Sequence, residues 1–126
     1  MEDEGSRIVT GPVKVLIVDA DPEAREQAAL ILGGFGFTVF QATNGADALR
    51  QAREADELML LVVAARLADT TGSRLADTVR RIHPEARVLM SVRFGGEEDA
   101  KGYPVLRKPY RFGPFIHAVR EQLIPA

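Results

Sequence analysis

The chain has 126 residues, 46% hydrophobic and 27% charged, with no cysteine and a formal net charge of −2. That length suits one globular domain, and the missing cysteine excludes disulfides and thiolate metal sites. Glu2, Asp3, Glu4 and Arg7 account for the whole of the −2, so the remainder is near neutral and lacks the basic stripe expected of a nucleic-acid binder.

Residues 1–12 are acidic and polar, unlike a signal peptide, and read as a flexible leader before a domain at 13–125. No apolar run approaches the ~20 residues of a membrane span, so a cytoplasmic protein is expected. Residues 13–18 (VKVLIV) form a β-branched run suited to a buried parallel strand. Asp21-Pro22 then supplies a helix N-cap and a first helical residue. Ala24, Ala28, Ile31 and Leu32 follow at helical spacing, and Gly33-Gly34 is read as the stop. Residues 37–42 (FTVFQA) form a second strand, Asn44-Gly45 a turn, and 46–55 a helix with Ala48, Leu49 and Ala52 inward.

Residues 58–64 are apolar on both faces and form the central strand. A helix over 72–82 carries Leu75, Ala76, Val79 and Ile82 on one stripe, and His83-Pro84 stops it. Residues 87–92 (RVLMSV) and 105–107 (VLR) are the fourth and fifth strands, and 112–123 is a last helix with Phe115, Ile116, Val119 and Leu123 apolar. Alternating strands and helices imply a doubly wound five-stranded parallel sheet covered on both faces. Such sheets bind ligands at the carboxyl ends of the strands. This draws attention to Asp19, Ala20 and Asp21 after strand one, Ala64 after strand three, Ser91 and Val92 at strand four, and Lys108 after strand five.

In order and spacing, VLIVDADPEAR, GFTVFQATNGADAL, SRLADTVRRIHP and VLRKPYRF resemble the receiver domains of bacterial two-component response regulators, over residues 13–124. The resemblance implies a flavodoxin-like fold with strand order 2-1-3-4-5. It also implies a phosphoryl-transfer site. An aspartate ending strand three takes the phosphoryl group, two acids after strand one help it hold Mg²⁺, and a strand-four hydroxyl and a strand-five lysine read the phosphoryl oxygens.

The departures from that pattern are specific. The acceptor lies eight residues before the glycine that opens helix three, so Gly72 puts it at Ala64. The first acid is Asp19, but the second position, a direct metal ligand, is Ala20. Asp21 is explained as the helix cap. Lys108-Pro109 keeps the lysine and a proline bond often cis in the family, the strand-four hydroxyl is Ser91 or by strict count Val92, and the usual aromatic is Val105. The resemblance is therefore to a degenerate pseudo-receiver: not an enzyme, with no cofactor and no metal, and with Asp19, Asp21, Ser91 and Lys108 as a vestigial pocket.

Between Ser91 and Lys108 there is too little chain for a normal fourth helix, which is expected to be shortened or absent, with a loop in its place. Asp19 and Lys108 are expected to pair as buried charges. His83 reads as structural and His117 as solvated. A protein partner or a second copy is expected on the face of strand four, strand five and the last helix, with Phe94, Tyr103, Val105, Tyr110, Phe112, Phe115 and Ile116 as candidates. Two other readings compete. One is an active regulator phosphorylated on another acid, Asp69. The other is a small α/β nucleotide-binding or enzymatic domain, against which stands the lack of a Gly-rich loop or a Ser-His-Asp set. A standalone protein and a piece of a larger regulator or kinase both fit.

Overall fold

The computed structural model describes residues 12–93 and 95–124. The expected leader, apart from Pro12, and the candidate Phe94 lie outside the described residues. The strands are β1 (Lys14–Val18), β2 (Thr38–Ala42), β3 (Leu60–Ala64), β4 (Arg87–Val92) and β5 (Val105–Arg107). They form one parallel sheet in the order β2-β1-β3-β4-β5. The helices are α1 (Pro22–Gly34), α2 (Gly45–Glu54), α3 (Gly72–Ile82) and α4 (Phe112–Leu123), with a 3-10 helix at Glu97–Ala100.

Two cores follow from strand periodicity. On one face Leu16, Val18, Leu61, Val63, Val88 and Met90 meet Ala48 and Ala52 of α2 and Leu75, Ala76 and Val79 of α3. On the other Val15, Ile17, Leu60, Val62 and Leu89 meet Ala24, Ala28 and Leu32 of α1 and Phe115 and Val119 of α4. Every residue of β3 is buried, as a central strand requires.

The helix starts follow their caps. Asp21 accepts from the Glu23 amide at 3.0 Å, Asn44 from Asp47 at 2.9 Å, and Thr71 from Arg74 at 3.2 Å. His83 Nε2 lies 2.7 Å from the Ala52 carbonyl and ties the end of α3 to α2.

Two expectations are corrected. Gly33-Gly34 does not stop α1; both glycines are helical. Gly36 stops it instead, at a φ of +92°. The Gly36 amide bonds the Gly33 carbonyl at 3.0 Å and the Phe37 amide bonds Leu32 at 3.2 Å, the two bonds of a glycine C-terminal cap. Among the described residues no α-helix lies between β4 and β5, and α4, with 12 residues, is the last helix expected over 112–123. The segment between β4 and β5 is not a plain loop either, since it forms the 3-10 turn, where Ala100 is buried in the α2–α3 core. Among the described residues no helix is long and apolar enough to cross a membrane.

Candidate functional site

The carboxyl ends of β1, β3, β4 and β5 converge on a cavity of about 570 Å³. Ala64 ends β3 beside Ser91 of β4 and is 6% exposed. The start of α3 returns against it: a Cβ on Gly72 would fall 2.2 Å from the Ala64 carbonyl oxygen and 2.8 Å from Met90 Sδ. Only glycine admits that approach. The eight-residue spacing therefore has a physical cause, and it puts the Ala64 methyl at the tip of the central strand.

Three ion pairs surround the cavity. Lys108 Nζ lies 2.7 Å from Asp19 Oδ2, with both side chains buried. The contact is an ion pair without hydrogen-bond geometry, because Asp19 Oδ2 has no hydrogen-bond partner. Asp19 Oδ1 accepts from the Asp21 amide at 3.0 Å. Arg93 reaches Asp21 Oδ2 at 3.4 Å, and Arg66 reaches Asp99 Oδ2 at 3.0 Å. Each acid in the cavity wall thus has a cation of the chain beside it. Ala20 and Ala64 offer no side-chain oxygen, and among the described residues no three acidic or histidine side chains form a metal-binding group. The donor set does not fit Mg²⁺, which takes several oxygen ligands in octahedral geometry. The Lys108–Pro109 bond is cis.

Ser91 shares the face of Leu89, and its Oγ lies 2.8 Å from the Tyr110 hydroxyl in a buried pair. Burial pushes the Tyr110 phenol up to about 12. Tyr110 also meets Phe115 edge to face, with ring centroids 4.9 Å apart. Val92 lies on the opposite face, in the core against which Val105 packs.

The candidate partner surface needs correction. Phe115 and Tyr110 are core residues, 0% and 6% exposed, packed in the cluster on the α1–α4 side of the sheet. Ile116 and Val105 are half-buried. Tyr103 donates its hydroxyl to Asp77. Phe112 does face outward at 59% exposure, stacked on Phe35 of the α1 cap at 5.9 Å.

Residues 15–106 match the response regulator receiver domain family. The chain belongs to that family. As a receiver domain it is 28% identical over 93 residues to the transcriptional regulatory protein ZraR of Salmonella typhimurium, covering 74% of this chain and 21% of that protein. The chain therefore spans about a fifth of the length of that relative. The receiver domain of the hybrid histidine kinase CckA superposes with a TM-score of 0.76 at 28% identity, over 87% of this chain and 98% of that one. A receiver domain protein from Methanospirillum hungatei has the same fold, with a TM-score of 0.80 at 20% identity, over 90% and 94% of the two chains.

Three features of this receiver domain escaped the sequence reading. Asp69 accepts from the Gly45 amide at 2.9 Å through Oδ1 and from the Ala46 amide at 3.0 Å through Oδ2, so it caps α2 from across the fold. Those two amides hold its carboxyl below the ordinary range. Its only local signal is an acid in the turn before α3. The partners of Arg66 and Arg93 are 33 and 72 residues away in the chain, and no local pattern announces them. Phe35 was hidden by the reading of Gly33-Gly34 as the helix end.

Proposed function

We propose that this receiver domain is a phosphorylation-independent pseudo-receiver, a cytoplasmic protein-interaction module of a two-component-type regulator. The observation that carries the reading is the buried Asp19–Lys108 pair facing a strand tip that ends in the Ala64 methyl. Aspartyl phosphorylation needs a carboxylate nucleophile and a metal ion against the phosphoryl oxygens. Alanine supplies neither, and the remaining acids are already neutralised by Lys108, Arg93 and Arg66. The hydroxyl of Ser91 is engaged by Tyr110, and Val92, the alternative switch position, has none.

Phosphorylation on Asp69 has little support, since both of its carboxylate oxygens accept backbone amides of α2. A protein partner, or a second copy of the chain, is the natural reader of such a module, and the exposed Phe112–Phe35 stack beside α4 favours docking there. Light scattering over a concentration series, with and without Mg²⁺ and beryllofluoride, tests the reading. The association curve is expected to be the same in all four conditions. A shift produced only by Mg²⁺ with beryllofluoride would mean that the strand-tip pocket still responds to a phosphoryl mimic.

A further inference from the structure

A second cavity, of about 550 Å³, lies beside the strand-tip pocket and shares Ala65, Arg66 and Asp99 with it. Its charge is different. The strand-tip pocket has three cations and three acids, joined in three ion pairs. The second cavity has Arg66, Arg74 and Lys101 against Asp99 alone. Asp99 is taken by Arg66, through both Nε and Nη2 at 3.0 Å. Arg74 and Lys101 are exposed, and among the described residues their side chains have no partner. The cavity therefore carries an excess of two positive charges in a domain that is otherwise near neutral.

The wall between these cations is lined by hydroxyls. Thr70, Thr71 and Ser73 all contribute, with Thr71 Oγ1 and Ser73 Oγ 3.3 Å apart. Lys101 is held on the far side at a φ of +53°, a left-handed conformation that glycine adopts more easily. Two cations without a partner among the described residues, with hydroxyls between them, complement a group with about two negative charges and several acceptor oxygens. We infer that this cavity binds a phosphate monoester dianion non-covalently. It lies beside the strand tips and uses none of Asp19, Ala64 or Lys108, so it does not depend on whether aspartate chemistry survives.

The test is an amide NMR titration of the whole chain at constant ionic strength, with inorganic phosphate as the probe and chloride as the control. Saturable shifts are expected at Thr70, Thr71, Ser73 and Lys101 with phosphate and not with chloride. The double variant Arg74→Gln, Lys101→Gln should weaken binding about tenfold while leaving the fold intact, because both side chains are exposed and unpaired. A nucleoside monophosphate and a blocked phosphoserine peptide then separate the two sources of such a group; tighter binding of the first points to a small metabolite, and of the second to a phosphorylated side chain. Shifts that never saturate, shifts centred on Asp19 and Lys108 instead, or unchanged affinity in the double variant would each overturn the site.

Discussion

Lys108 Nζ sits 2.7 Å from Asp19 Oδ2 with 9% and 5% of the two side chains exposed. The receiver pattern implies that this lysine reads a phosphoryl group arriving from outside. Here its counter-anion is already part of the chain, beside a strand tip with no nucleophile. A buried pair of this kind is costly to break from one side, because the surviving charge stays desolvated.

Lys108→Met should therefore cost about 3–5 kcal/mol in urea unfolding at neutral pH. The double variant Asp19→Asn, Lys108→Met removes both charges and keeps an acceptor for the Asp21 amide, so it should recover most of that loss. A double variant as unstable as the single one would show that the pair itself stabilises the domain.

The Ser91–Tyr110 pair obeys the same asymmetry with neutral groups. Ser91→Ala strands a buried phenol hydroxyl and should cost about 1–3 kcal/mol, and adding Tyr110→Phe should return part of it. Because the folded phenol titrates near 12, its contribution is complete below the ordinary value of 10.0 and is lost as the pH rises through about 12. A spectroscopic titration should show no tyrosinate from Tyr110 at pH 10.0.

Asp69 should give the opposite pH signature. Its carboxyl is depressed by the Gly45 and Ala46 amides, so its stabilisation is complete above the ordinary 3.8 and fades as the pH falls through its folded value. Asp69→Ala should lower Tm by a few degrees at neutral pH, and the gap to the parent should close in strong acid. A gap that stays constant with pH would remove the charged cap from the account.

Gly72→Ala places a methyl carbon 2.2 Å from a backbone oxygen and should destabilise by about 3 kcal/mol. Gly45→Ala meets the Thr70 methyl at 2.6 Å and Asp69 Oδ1 at 3.3 Å, both side-chain atoms that can shift, and should cost less. Equal losses in urea unfolding would argue against a backbone constraint behind Ala64.

The sheet was legible from local periodicity, while its order and the place of Ala64 followed from the resemblance to receiver domains, the latter through one glycine spacing. VLIV and LLVVA are short β-branched runs apolar on both faces, as buried parallel strands are. Asp19 with Lys108 was legible as two lone charges at strand ends. The Gly33-Gly34 error arose because glycine is merely tolerated in a helix, while the true stop needed a positive φ at Gly36. Asp69, Arg66 and Arg93 act on partners far along the chain, and aromatic spacing alone did not separate buried Phe115 from exposed Phe112. The 3-10 turn at Glu97–Ala100 was missed because a four-residue polar run carries no helical period.

Incubation with acetyl phosphate and Mg²⁺, followed by intact mass measurement, tests the central claim most directly. The account predicts the unmodified mass at all times. An added phosphoryl mass, at any residue, would contradict it, and its loss in Asp69→Ala would name the acceptor.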